Sequence, residues 1–186
     1  MATRTNGSLE NVPVVQGGIY GAIAFVASYL VSIVLLQGDL EFDLAGIAEL
    51  VSENAFEAAG MLWFNSHFVD LEVNVIGLDT TTTMFAQAET GIPQVLYHVV
   101  PMLVLVAAGY LVGRRALGPE ASLEDGVKAG ATVVVGYLPL AATGAFVFAV
   151  DGSFGSAQPE TATAILLAGA MFPLVFGSIG GIAATQ

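Results

Sequence analysis

The chain of 186 residues contains no cysteine, one lysine, three arginines, two histidines and one tryptophan. Without cysteine there is no disulfide, no thiolate metal centre and no thiol nucleophile. Four cationic side chains cannot neutralise a run of phosphates, so nucleic acid is excluded as a partner. Two histidines leave little for metal chemistry, and no resident metal or cofactor is expected. Reaction motifs are missing as well: there is no phosphate loop, nucleophile elbow, His-Glu metalloprotease helix or intramembrane carboxylate pair. The expectation is a protein that is not an enzyme.

What is present is apolar. Hydrophobic residues make up 55% of the chain and charged residues only 11%, against about a quarter in soluble domains. The lipid bilayer is therefore the first partner. Four stretches reach the roughly 20 helical residues needed to cross the hydrocarbon: 12–36, 93–113, 127–150 and 161–184. The first is too long for a signal core and is read as a retained anchor. The expected fold is an all-α membrane protein, a four-transmembrane-helix bundle forming one domain over 1–186, with a long segment, 37–92, between helices one and two.

The few cations set an orientation. Arg114, Arg115 and Lys128 all lie in "GYLVGRRALGPEASLEDGVKAG", residues 109–130. Cations flank membrane helices on the cytoplasmic side, so this loop is placed inside. Both termini follow, and Arg4 agrees. Of the 16 acids, Glu10, Glu120, Glu124 and Asp125 fall inside and balance the bases. The other twelve fall outside, giving an acidic external face that carries the whole net charge of −12.

The external segment begins with Leu44, Ile47, Val51, Ala55, Ala58 and Leu62 at helical spacing opposite Glu49, Glu53 and Glu57, the pattern of an amphipathic helix. Three glutamates make it a poor span. It is expected to lie over the outer surface with Trp63 and Phe64 at headgroup level. Val69, Leu71, Val73 and Val75 then alternate with Asp70, Glu72 and Asn74, and a threonine run follows, which suits a small β-hairpin.

Each span carries a glycine pair four residues apart: Gly17 and Gly21, Gly109 and Gly113, Gly126 and Gly130, Gly177 and Gly181. In the topology above all lie in the cytoplasmic third, where small residues let backbones approach closely. Pro101, Pro139 and Pro173 lie in the middle or outer half of the other three spans and each removes a backbone hydrogen bond. Together they suggest kinked helices pinched inside and splayed outside around a cavity roofed by 37–92; the alternative is a close-packed outer half. His67 and His98, with Asp70 and Glu72, form a candidate external polar site for pH or metal sensing, although their spacing matches no metal motif. Bonding of each imidazole to a nearby carbonyl or tyrosine is the competing reading.

"GMLWFNSHFV" (60–69), "KAGATVVVGYLPLAATGAFVFA" (128–149) and "ILLAGAMFPLVFGSIGG" (165–181) resemble a family of small haloarchaeal integral membrane proteins without known activity. The resemblance covers the chain from about Val12 onward. It implies the cytoplasmic membrane of a halophilic archaeon, in keeping with the acidic external face. Three functions remain open. The first is a structural or accessory bundle that self-associates as a homo-oligomer or joins a larger membrane complex. The others are a small channel or transporter for an uncharged or weakly polar solute, and an external sensor built on the two histidines.

Overall fold

The computed structural model describes residues 12–41, 51–75, 78–152 and 155–186. Helix α1 (Val14–Gly38) is followed by a shorter helix, α2 (Ala55–Asn65), and then by α3 (Val95–Ala116), α4 (Leu123–Val147) and α5 (Thr161–Ala183). α1, α3, α4 and α5 are long and apolar enough to cross a membrane, so the four expected spans are present with ends displaced by a few residues. They alternate in direction. One end of the bundle carries Arg114, Arg115 and the carboxy-terminal residues, and is called the arginine end; the opposite end carries all the strands.

The two ends are built differently. Near the arginine end, backbones touch. A Cβ added at Gly109 or at Gly130 would stand 2.0 Å from the Gly177 carbonyl oxygen, and one at Gly181 would stand 2.0 Å from that of Gly126. Gly21 lies equally close to the Val133 carbonyl, and Gly17 to Thr132. Only a residue without a side chain fits such crossings, and dispersion attraction between the touching backbones replaces the hydrophobic drive that lipid does not supply. α5 packs along α3 and both halves of α4, while α1 packs on α3 and the second half of α4.

Two helices depart from regular winding. In α4 the amides of Thr132 and Val133 bond carbonyls three residues back, at 3.2 Å each, and the Thr132 hydroxyl bonds the Ala129 carbonyl at 2.6 Å. Such back-bonding tightens the turn locally. The interruption therefore falls at Thr132, where α4 crosses Gly17, and not at Pro139. α3 runs as one helix through Pro101. α5 is a π-helix over Ala164–Met171, immediately before Phe172 and Pro173, a wider winding that accommodates the lost proline N–H.

At the other end, β1 (Leu40–Glu41), β2 (Leu71–Val75), β3 (Leu78–Thr82), β4 (Glu89–Thr90), β5 (Val150–Gly152) and β6 (Gly155–Pro159) form two sheets. β1 pairs with β4, clamping the end of α1 to the approach to α3. The expected hairpin is β2–β3, with Leu71 opposite Thr82 and Asn74 opposite Asp79. A second hairpin, β5–β6, joins it through β2 to give the order β3-β2-β6-β5. Alternation sorts the faces. Glu72, Asn74, Asp79, Thr81, Ser156 and Gln158 share one polar face, around a depression of about 800 Å³. Leu71 and Pro159, on the other face, are buried.

The expectation for the amphipathic helix needs correction. Leu44, Ile47 and Glu49 lie outside the described residues. Glu53 is exposed and Val51 half-buried, as an amphipathic surface helix requires. α2, however, is buried throughout Ala58–Asn65, with Trp63 at 1% and Phe64 at 0% exposure. It does not lie over the outside of the bundle. Between Glu57 and Asn65 there is no polar residue at all, and a helix apolar all round belongs in a core. α2 fills the splayed half of the bundle, which is thus occupied by protein.

Candidate functional site

Where α2 meets the spans, a buried set of polar side chains is enclosed by aromatic rings. The Trp63 indole N–H donates to Ser28 Oγ of α1 at 2.7 Å, and the Ser28 hydroxyl in turn donates to the Ala24 or Phe25 carbonyl, at 2.9 and 3.0 Å. His67 lies between the Trp63 carbonyl, 2.7 Å from Nδ1, and the Tyr137 hydroxyl of α4, 2.8 Å from Nε2. A carbonyl can only accept, so Nδ1 carries the proton and Nε2 accepts from Tyr137. The imidazole is neutral and fully used. Phe25, Phe64, Phe172 and the Trp63 and Tyr137 rings enclose these bonds, with the Trp63 and His67 ring centroids 4.2 Å apart.

The tetrapeptide Asn65-Ser66-His67-Phe68 makes this arrangement. The Val69 amide bonds the Phe64 carbonyl and the Phe68 amide bonds the Asn65 carbonyl, at 3.1 and 3.0 Å. That pair of bonds is a Schellman ending, which places its closing residue in the left-handed region and ordinarily uses glycine. Here the residue is Phe68, at φ 60°, at a cost of about 1–2 kcal/mol. Its ring stacks on His98 with centroids 4.1 Å apart and planes 10° apart. Buried Val69 and Phe64 supply the hydrophobic contact that accompanies the motif. Asn65 locks the turn from within: its amide nitrogen donates to the Val69 carbonyl and its oxygen accepts from the Met84 amide, both at 2.7 Å.

His98 Nδ1 bonds the Ser66 carbonyl at 3.1 Å, so both histidines attach to the end of α2. The carboxylates do not join them. Asp70 and Glu72 are exposed, and Glu72 accepts from Gln158 at 2.9 Å on the polar sheet face. Among the described residues no three His, Asp or Glu side chains converge on a point that could hold a metal ion. Burial, the dominant influence, pushes the His67 imidazole down to about 3; its bond to Trp63 opposes this and His98 adds to it. Buried as it is, His67 stays neutral at ordinary pH.

A second polar tie closes the same end. The Asp39 carboxylate, just past α1, accepts from the buried Tyr97 hydroxyl of α3 and from the Ile92 amide, the latter at 3.3 Å. Tyr29 of α1 donates to the Phe56 carbonyl at 3.0 Å, and its ring stacks on Phe148. Among the described residues every buried side-chain nitrogen or oxygen has a partner. The arrangement is thus a satisfied polar core that fixes α2.

The sequence reading places His67 and His98 near one another, and its competing reading holds: His67 bonds the Trp63 carbonyl and the Tyr137 hydroxyl, and His98 bonds the Ser66 carbonyl. What it misses is that Ser28 and Tyr137 complete the setting of His67 and Trp63. A signal is present: Ser28 and Tyr137 sit near the middle of their spans, and "NSHF" interrupts an otherwise apolar run. The glycine pairs are consumed within one chain, as the distances above show. The prolines take no part in these polar ties.

The chain belongs to a family of unknown function, DUF7978, whose model matches residues 1–186. No curated protein and no solved structure matches it.

Proposed function

We propose that this protein is a non-enzymatic accessory protein of a cytoplasmic membrane, a rigid bundle that presents a small acidic β-sheet on the outside. The observation that carries the reading is the polar sheet face. Among the described residues buried polar side chains are spent on internal partners and the glycine crossings on neighbouring backbones, whereas Glu72, Asp79 and their neighbours face solvent on a sheet that continues into α4 through β5 and into α5 through β6, and that is pinned by the Glu160 amide bond to the Asp70 carbonyl, 2.9 Å. Because the glycine faces are used internally, self-association falls to the lipid flank or the sheet end. The acidity of that end fits the exterior of a halophilic archaeon, where high salt screens mutual repulsion over about 3 Å at molar strength.

Arg114, Arg115 and Lys128 gather at one end of the bundle, which supports placing that end and both termini in the cytoplasm. Arg115 lies 5.2 Å over the Tyr20 ring and Lys128 pairs with Glu124 at 2.6 Å. A cysteine introduced at Thr82 in this cysteine-free chain should react with an impermeant thiol reagent from outside intact cells; protection there with reaction from inside would invert the topology.

The deciding experiment is the oligomeric mass of the purified protein in molar salt and mild detergent, with co-purifying species identified by mass spectrometry. A fixed oligomer or a defined protein partner supports the accessory reading. A monomer carrying a reproducible small solute favours the channel or transporter reading, which the inserted helix supports on its own account: a bundle whose wider half is filled by a separate, non-spanning helix is built like a stoppered vestibule.

A further inference from the structure

α2 differs from the spans in what holds it. Trp63 to Ser28, His67 to Tyr137, Ser66 to His98 and Phe56 to Tyr29 are four polar ties between α2 or its closing turn and three separate spans. Water can replace each of them when α2 leaves, so none leaves a polar group unsatisfied on release, and the buried Leu62, Trp63 and Phe64 supply the rest of the hold. At each end of α2 the helical backbone is broken. A turn at Asn54 precedes it, and the left-handed Phe68 follows it, where relaxation would recover backbone strain. The glycine crossings at the arginine end involve no residue of α2 and stay closed when it moves.

The imidazole makes the movement sensitive to protons. Facing His67, α3 contributes His98 and α4 contributes Tyr137; α1 and α5 contribute no carboxylate or cationic side chain, and Asp70, the nearest acid in sequence, is exposed. A protonated His67 would thus sit among aromatic rings without a counter-charge, an arrangement that costs far more than solvation in water. We infer that α2 is a displaceable plug whose release from the bundle is coupled to proton uptake by His67. Released, the imidazole meets water and titrates near its ordinary value of about 6.5. Protons then bind the released state alone, and the ratio of released to seated α2 rises by up to about tenfold for each pH unit below that value. Release uncovers Ser28, Ser32 and Tyr137 at mid-span and leaves the arginine half sealed, so it opens a vestibule and no through-passage.

Trp63 is the sole tryptophan and reports the position of α2 directly. The full chain is reconstituted in phosphatidylcholine vesicles with pH equal on both sides. Emission maximum and acrylamide quenching are then followed from about pH 7.5 to 4.5, with far-UV circular dichroism recorded in parallel. In the wild type and in His98→Gln, emission should shift to longer wavelength and quenching rise several-fold on acidification, at constant helicity; in His67→Gln both should stay flat. Trp63 that remains unquenched to pH 4.5 overturns the proposal, as does an undiminished response in His67→Gln or a response that appears only with loss of helicity. Should His67→Gln fail to insert, Tyr137→Phe, which weakens the seat and leaves the titrating group in place, must move the transition to higher pH; an unmoved transition also overturns it.

Discussion

The same four helices are closed by opposite means at their two ends. At the arginine end the helices meet because side chains are missing: Gly109, Gly130 and Gly177 bring three backbones together, and Gly126 and Gly181 repeat the device one turn on. At the sheet end they stand apart, and the space is filled by a fifth helix bearing the largest side chain in the protein. Close glycine crossings leave no room for adjustment because the obstructing atoms are backbone. An inserted helix can in principle be withdrawn, because side chains and exchangeable hydrogen bonds hold it. If α2 is the displaceable plug inferred above, rigidity and mobility are separated along the bundle axis, and each can be attacked by substitution without touching the other.

The largest effect should come from emptying the plug. Trp63→Ala removes a ring that is 1% exposed and packed on Phe25, Phe64, His67 and Tyr137, and should destabilise the protein by about 3–5 kcal/mol in detergent denaturation. A loss below about 1 kcal/mol would show that α2 does not occupy the bundle. Next comes the glycine end. Gly130→Ala places a methyl group 2.0 Å from the Gly177 carbonyl oxygen and should cost about 1–3 kcal/mol by overpacking. Gly118→Ala, with nothing within 4 Å of the added carbon, should stay within about 0.5 kcal/mol. Equal costs at these two glycines would dissolve the contrast between the ends.

Smaller effects should come from the polar ties. Tyr137→Phe leaves His67 Nε2 without its donor and should cost about 1–2 kcal/mol, read as a lowered melting temperature. His67 also gives stability a pH dependence of definite sign. Its pKa in the folded state is pushed down to about 3 from 6.5, so the unfolded chain takes up the proton first. The contribution is complete above about pH 6.5 and declines as pH falls toward 3, by up to ~1.4 kcal/mol per unit. The interval from 6.5 to about 5, above most carboxylate titrations, isolates it; melting temperature should fall there in the wild type and hold in His67→Gln.

Much of this architecture is legible in the sequence because its causes are local. Span length, the clustering of cations and the alternation of Val69 to Val75 are patterns that need no partner to be read. α2 is misplaced by the same reasoning because Glu49, Glu53 and Glu57 dominate the first turns of the pattern, and the shift to an apolar circumference after Glu57 is averaged into it. The β5–β6 hairpin escapes for another reason: "VDGSFGSAQP" has no alternation of its own, and its register comes from β2 across about 80 residues of chain. The polar core is hidden in the same way. Ser28, His67 and Tyr137 are unremarkable singly, and only the insertion of α2 brings them together.

The smallest expected effect bears on function most directly. Glu72 and Asp79 lie exposed on the polar sheet face, Glu72 bonded to Gln158 at 2.9 Å and Asp79 to Asn74 at 2.5 Å. Exposed polar pairs contribute little to stability because water competes for both members and salt screens them. Glu72→Gln with Asp79→Asn should therefore move the melting temperature by less than a degree or two, equivalent to under about 0.5 kcal/mol, at any salt concentration that keeps the protein folded. A loss above about 2 kcal/mol would make this face part of the structural core of the sheet end and remove it as a presented surface. A null effect on stability combined with loss of a co-purifying partner would separate the two roles cleanly: the buried face of the sheet anchors it to the bundle, and the exposed face is left free to be recognised.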